Sequence, residues 1–549
     1  MALFGDKGDY YGRSWPAIVI GLFVAFGGIL FGYDTGTIGG IMAMGFWRKE
    51  FGFPNPHYDA KIDDQADQYM ISSEQKSVVV SILSVGTFFG ALSSPLLADR
   101  IGRRWGLFAS CWVFNLGVVL QTAAVSLDIF DVGRFFAGAG VGLISALVPL
   151  YQSETAPKWI RGFIVGAYQL AITIGILLAA IVNNSSGGRD DPGSYRIPTA
   201  VQFAWSLILM IGLLFLPETP RFLIKRGHRD DAKMSLARIR RVQPNDPNIE
   251  SELQEIEANH NYELSIGKAR YIDCFIGTQG KRQVTGMLLQ MFQQLTGVNF
   301  IFYYGTEFFK GTGLPGFKIA MVMGAVNTLS TFPGMFLVDK LGRRKLLLIG
   351  AIGMATSQCL VAVCGMLSGK HYLDDRDKAQ FEVTNVGCLY ATVAFSCMFI
   401  SFFAATWGPL AWIICGELYP LKFRARGLSI TTATNWLLNW AIAFATPFLV
   451  DPGPHSLNLQ AKIFFIWFVC CFTCIAFAYF MVYETKDLTL EQVDQMYEEV
   501  KSARQSPGWK PAETYVQKNI GAPHLDPPKG LLEKGDSEDD APKIGHIPL

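Results

Sequence analysis

Four amides stand close together in one apolar stretch of this 549-residue chain: Gln290, Gln293, Gln294 and Asn299. An amide carries both a donor and an acceptor, as a hydroxyl does, so the set suits a neutral ligand bearing hydroxyls. On a helix Gln290 and Gln294 share a face, and Gln293 stands about 100° away. Buried amides are costly unless bonded, so the cluster needs either a polar cavity or partners on neighbouring helices. A second candidate is Asp34, in the middle of the first apolar stretch and flanked by Gly32 and Gly36. A carboxylate there must be paired or protonated. The sequence shows no nucleophile–base set, no metal-ligand spacing and no phosphate-binding loop, so neither an enzyme nor a cofactor or metal site is expected. Glycine-rich strings such as Gly133–Gly142 read as helix packing.

The elements that must position these groups follow from composition. The chain is 50% hydrophobic and 17% charged, against about 25% charged for a soluble protein. A membrane helix needs about 20 apolar residues. Such runs lie near 17–45, 74–98, 105–126, 130–151, 162–183 and 199–216, and again near 283–310, 317–338, 345–368, 384–416, 428–450 and 460–483. The expectation is an all-α membrane protein of twelve transmembrane helices in two six-helix bundles. Its divisions are an N-terminal tail (1–16), a first bundle (17–216), a helical linker (217–281), a second bundle (282–484) and a largely disordered tail (485–549). The basic short loops carry Arg100, Arg103 and Arg104, then Lys158 and Arg161, then Lys340, Arg343, Arg344 and Lys345, and finally Lys422, Arg424 and Arg426. All fall on one side, with both termini and the linker, and that side should be cytoplasmic. A net charge of +1 without a basic tract gives no reason to expect nucleic acid. The ten cysteines read as small buried hydrophobes. Asn183 and Asn184 each open a glycosylation sequon, but hard against the membrane edge.

The halves repeat. Asp99-Arg-Ile-Gly-Arg-Arg-Trp105 recurs as Asp339-Lys-Leu-Gly-Arg-Arg-Lys345, and Glu154-Thr-Ala-Pro157 as Glu417-Leu-Tyr-Pro420. Pro217-Glu-Thr-Pro-Arg221 is echoed in Glu484-Thr-Lys486. Parallel six-helix repeats are the plan of a two-bundle carrier with its site between the halves.

These strings, with Phe31-Gly-Tyr-Asp-Thr-Gly36, Gln293-Gln-Leu-Thr-Gly-Val-Asn299 and Gly408-Pro-Leu-Ala-Trp412, resemble the sugar porter family of the major facilitator superfamily, and particularly its fungal hexose transporters, over roughly residues 17–500. Pro95 departs from the family's small residue before Asp99. The resemblance implies a major facilitator fold and a monosaccharide substrate, glucose or another hexose or xylose, carried by alternating access. It implies sugar contacts from Phe31, Gln169, Gln293, Gln294, Asn299, Asn327, Trp412 and Asn435, with Trp436 nearby, and an outer gate of Tyr303 and Tyr304. Asp34 with Arg134 resembles the proton site of symporters, which makes a proton the expected co-substrate; a permanently paired Asp34 would instead mean a facilitative uniporter. Arg103, Arg104, Glu154, Arg161 and Glu218, and their counterparts Arg343, Arg344, Glu417, Arg424 and Glu484, look like cytoplasmic gate ion pairs joining the bundles. A plasma-membrane monomer is expected. A transporter-like glucose sensor is the rival; sensors of this fold tend to have very long tails, and the stretch after residue 497 is short.

Overall fold

Lipid offers the backbone no hydrogen bonds, so apolar runs of this length can cross it only as helices. The computed structural model describes residues 15–56, 58, 68–156, 160–266, 270–373, 379–451, 456–486, 488 and 490–510. Residues 1–507 form one compact unit; 508–549 form a second, of which only 508–510 are described. In the N-terminal half, α1 (Trp15–Ala25) and α2 (Gly27–Met42) make one span, and a short α3 (Gly45–Phe51) follows. Then come α4 (Ser73–Ile101), α5 (Arg103–Thr122), α6 (Leu127–Thr155), α7 (Arg161–Ser186) and α8 (Gly193–Leu213). The linker holds α9 (Pro220–Lys225), α10 (Arg229–Arg240) and α11 (Pro247–Ile266).

The C-terminal half contains α12 (Gly277–Leu295), α13 (Val298–Gly311), α14 (Gly316–Leu341), α15 (Arg343–Ser368), α16 (Val386–Ala405), α17 (Trp407–Leu418), α18 (Leu421–Val450) and α19 (Ile463–Met481), with α20 (Leu490–Glu499) beyond them. Among the described residues, ten spans are long and apolar enough to cross a membrane. The other two expected runs are helical as well, as α12–α13 and α18. α13 is too short by itself, and α12 and α18 fall short in apolar character because they carry the amides and other polar residues. Two small antiparallel ribbons, Phe53–Pro54 with Tyr69–Met70 and Gly369–Leu373 with Ala379–Val383, lie in loops on the side away from the basic ones. Sequence periodicity gave no sign of either.

Packing follows the duplication. Within the halves, α2 lies along α7, and α12 along α18; between them, α4 packs on α18 and α7 on α14. Asn183 is buried in α7, where its Nδ2 donates to the carbonyls of Gly36 (3.3 Å) and Thr37 (3.1 Å) on α2. The first sequon is therefore used in packing. The linker is tied to the repeat motif through Lys225 and Asp99 (2.8 Å). Part of the stretch expected as a disordered tail is ordered: α20 docks on the start of α12, where Arg282 pairs with Asp494 and Tyr497 stacks on Tyr483 at 4.4 Å. Residues 511–549 lie outside the described residues.

The repeated Asp-x-x-Gly-Arg-Arg motif has a geometric reason for its glycine. Gly102 (φ 95°, ψ 175°) and Gly342 (φ 87°, ψ 162°) each turn the chain between two spans in a single residue. That region of backbone space is essentially closed to residues with a Cβ. In each half a carboxylate then caps the next helix. Glu218 accepts from the N–H groups of Arg103 (3.0 Å) and Arg104 (3.1 Å), and Glu484 from those of Arg343 (2.8 Å) and Arg344 (3.1 Å). A negative group at a helix N-terminus satisfies otherwise unpaired donors and opposes the helix dipole. Burial pushes the Glu218 carboxyl up from its ordinary value, while the N–H groups of Thr219, Arg104 and Arg103 hold it down.

A methyl group on Gly342 would also sit 2.6 Å from Glu484 Oε2. Gly342→Ala is therefore expected to lower the stability of the purified protein by about 1–3 kcal/mol, seen as a fall in Tm in detergent. Gly342→Ala with an unchanged Tm would mean that the cap tolerates a Cβ.

Candidate functional site

The amide cluster sits where α12 ends and α13 begins. Gly297 (φ 87°) breaks the helix there and turns Gln293, Gln294 and Asn299 towards α18. All three are buried, so each must bond to protein. Asn435 Nδ2 donates to Gln290 Oε1 at 2.6 Å and to Gln293 Oε1 at 2.9 Å. Gln294 Nε2 donates to Gln293 Oε1 at 3.3 Å, and Asn299 Nδ2 donates to Gln294 Oε1. Asn439 Nδ2 reaches the same Gln294 oxygen at 3.1 Å. Asn439 Oδ1 in turn accepts from Tyr303 Oη (3.1 Å) and from Ser84 Oγ of α4 (2.6 Å). A chain of amides therefore runs through the C-terminal half and ends on the N-terminal half.

Other expected residues border this chain. Gln293 Nε2 donates to the carbonyls of Trp407 and Gly408, both at 3.1 Å, which anchors it to α17. Gln169 of α7 faces Gly408 across the interface, its Nε2 3.3 Å from where a Cβ on that glycine would stand. Trp412 meets Tyr168 edge-on at 6.0 Å, again between halves. Phe31 meets Trp436 at 4.9 Å, and Trp436 Nε1 donates to Ser145 Oγ at 3.4 Å. Asn327 is buried on α14, and its Oδ1 has no hydrogen-bond partner among the described residues; the Tyr168 hydroxyl is in the same position. Tyr304 Oη donates to Ala443 O at 2.7 Å.

Asp34 and Arg134 meet. Arg134 Nη1 lies 3.1 and 3.2 Å from the two Asp34 oxygens, and Nε donates to Val79 O at 3.3 Å. Both side chains are fully buried. A pair this dry depends on mutual attraction, because neither ion has water to fall back on.

The basic-end charges are arranged differently from the expectation. Arg103 Nη2 pairs with Glu154 at 2.9 Å and Arg343 Nη2 with Glu417 at 2.8 Å, each within its own half. Arg104 and Arg344 donate to backbone carbonyls of Leu213 (2.8 Å) and Tyr479 (2.7 Å), also within their halves. Glu218 and Glu484 cap helices, as described above. Arg424 is buried near the start of α18. The side chain of Arg161 lies outside the described residues. The charges described here lock each bundle internally: a repeat unit that turns as a body needs its own ends fixed.

Sequence reasoning left out Asn439 and Ser84. Asn439 stands four residues after Asn435 and so on the same face of α18, a spacing that could have identified it.

Comparison with known proteins identifies the family and the fold. The family model described as "Sugar (and other) transporter" matches residues 20–497. The chain is 58% identical over 510 residues to the major facilitator-type transporter ecdD of Aspergillus rugulosus, covering 93% of this chain and 92% of that one. It is 45% identical over 513 residues to the probable glucose transporter rco-3 of Neurospora crassa, covering 92% and 83%. Among solved structures it resembles the proton:xylose symporter XylE bound to 6-bromo-6-deoxy-D-glucose, with a TM-score of 0.72 and 25% identity over 88% of this chain and 100% of the other.

The buried pair makes a stability prediction. Arg134→Ala strands the Asp34 carboxylate and should cost about 3–5 kcal/mol. Replacing both charges, as Asp34→Asn with Arg134→Gln, should cost clearly less. Thermal unfolding of the two purified variants separates the cases; equal losses would show that shape, not charge, holds α2 to α6.

Proposed function

Because the chain belongs to the sugar transporter family, whose members are transporters and not enzymes, we propose that it carries a monosaccharide, a hexose or xylose, across the plasma membrane by alternating access, with a proton bound at Asp34. The observation that carries the reading is the buried amide chain that starts in one half and ends in the other. Amides bonded to one another can exchange those bonds for sugar hydroxyls without a large net cost, since the count of hydrogen bonds is preserved. The capacity of each residue is limited. Gln293 is fully used, its N–H groups on backbone carbonyls and its oxygen on Asn435 and Gln294, so it can meet a sugar only by exchanging a bond; Asn435 uses both N–H groups on glutamine oxygens and offers its own oxygen as an acceptor. Gln294 and Asn299 have an N–H each left to donate. Trp412 and Phe31 supply the apolar faces that suit the C–H side of a pyranose.

Coupling follows from the dry ion pair. When Asp34 is ionised, Arg134 is held between it and the Val79 carbonyl. A proton on Asp34 removes the attraction and frees Arg134, so α2 can move relative to α4 and α6 as the halves close around sugar. The same geometry favours one other reading: both charges are fully buried and paired with each other, as a permanent structural pair would be, and the chain would then be a facilitative uniporter.

Purified protein in proteoliposomes decides between them. Labelled glucose or xylose should accumulate against its gradient and bring protons with it, and Asp34→Asn should lose accumulation while retaining exchange. Sugar flux without proton flux or pH dependence would make the chain a uniporter; sugar binding with no flux would make it a sensor. Gln294→Ala should weaken sugar affinity about 5- to 150-fold, the range given by loss of a buried hydrogen-bond partner, and Trp412→Ala about 2- to 10-fold through loss of its apolar face. Wild-type binding in both would move the site elsewhere.

A further inference from the structure

The end of the molecule away from the basic loops holds a charged cluster that the reading above does not use. Lys76, in the first turn of α4, extends its ammonium between two carboxylates of the opposite half. It lies 2.6 Å from Glu307 Oε1 on α13 and 3.1 Å from Asp451 Oδ2 at the end of α18. Ser73 Oγ donates to the same Asp451 oxygen at 3.2 Å. Arg48 of α3, anchored on Met42 O at 2.8 Å, approaches Glu307 at 3.5 Å. The four charged side chains are between 12% and 25% exposed, too dry for ordinary surface pairs. Every one of these ion pairs joins the N-terminal half to the C-terminal half. Just below them Ser77 Oγ donates to Phe444 O at 2.8 Å, and deeper still Ser84 reaches Asn439. The contact between α4 and α18 is thus bonded from its charged tip down to the amide chain.

We infer that Lys76, Glu307, Asp451 and Arg48 form a latch that holds the outer end of the pathway shut and parts each time that end opens. The inference rests on the alternating-access reading. Its logic lies in the count of charges: one ammonium separates two carboxylates borne by different helices. Remove that ammonium and attraction across the halves becomes repulsion between Glu307 and Asp451 on one side, with no charge on α4 to hold them and only the Ser73 hydroxyl and the longer Arg48–Glu307 contact left. Remove Glu307 alone and the Lys76–Asp451 pair survives. The latch therefore predicts a ranking, with Lys76→Gln opening the outer end more than Glu307→Gln, and Lys76→Arg leaving it shut.

The test places single cysteines at two buried positions of the full-length protein, Ala443→Cys in the outer half of α18 and Ala167→Cys in α7 towards the basic end. Each is labelled with an impermeant thiol reagent from its own side in proteoliposomes, with the parent's labelling subtracted. Lys76→Gln should raise labelling at 443 about tenfold, a population shift of ordinary size for a two-state carrier, and lower it at 167. Glu307→Gln should do the same to a smaller extent, and provides the measurement should Lys76→Gln fail to fold. No change at 443 in either variant, or a rise there without a fall at 167, overturns the latch. High labelling at both positions in the unsubstituted background would instead overturn alternating access itself.

Discussion

Buried amides must find hydrogen-bond partners, and those of α12, α13 and α18 bond to one another, to backbone carbonyls, to the Cys415 sulfur and to the hydroxyls of Tyr303 and Ser84. That constraint shapes the rest of the molecule. It requires a break at Gly297, since a continuous helix would aim Gln293, Gln294 and Asn299 in divergent directions. It requires α18 to bring Asn435 and Asn439 to the same side, one turn apart. It also requires the chain to end on a partner in the other half, Ser84, since Asn439 Oδ1 would otherwise depend on Tyr303 alone. On the proposed reading, stability and ligand recognition draw on the same hydrogen bonds. A polyhydroxylated ligand competes with the protein's own amides, which sets affinity by a difference of similar terms and makes it sensitive to single substitutions.

The duplicated motifs solve a different problem, how to move two bundles without unravelling either. Gly102 and Gly342 give one-residue turns, Glu218 and Glu484 cap the helices that follow, and Arg103 and Arg343 pin the ends of α6 and α17 through Glu154 and Glu417. Each half is fastened to itself at its basic end. The halves meet along α4–α18 and α7–α14, where, below the charged outer cluster, described polar bonds between them are made by single hydroxyls such as Ser77 and Ser429.

Much of this was legible in the residues. The spans, the repeat and the amide cluster follow from hydropathy, self-similarity and residue type, and the structure brings Asp34 and Arg134 together, 100 positions apart in the chain, where the resemblance had paired them. What was not legible is partnership between charges. The basic-end arginines and glutamates have the right types and places for bridges between halves, yet the pairs described close within each half, because the partner of a long side chain is set by helix rotation and tilt, which spacing does not encode. The same limit hid Lys76, Glu307 and Asp451: separations of 231 and 375 residues carry no periodic signal. Glu307 alone gave a clue, as a carboxylate inside an apolar run, a feature that usually marks a functional group.

Taken together, the two ends of the pathway differ in kind. At the outer end the buried ion pairs cross between the halves, while the exposed Arg189–Asp191 pair stays within one; at the basic end the described pairs close within them. Opening the outer end separates charges that are three-quarters or more buried, and each ion regains water as it loses its partner, so the two changes largely cancel. A barrier built this way has steep distance dependence and a small net energy, which is what a gate needs if the modest binding energy of one sugar is to move it. An apolar seal of the same area would be harder to open, because every Å² exposed to water costs free energy with nothing returned. On the proposed reading, charges at the rim and amides at the centre would let one neutral, hydroxyl-bearing ligand shift a large conformational equilibrium by trading bonds rather than by supplying many new ones.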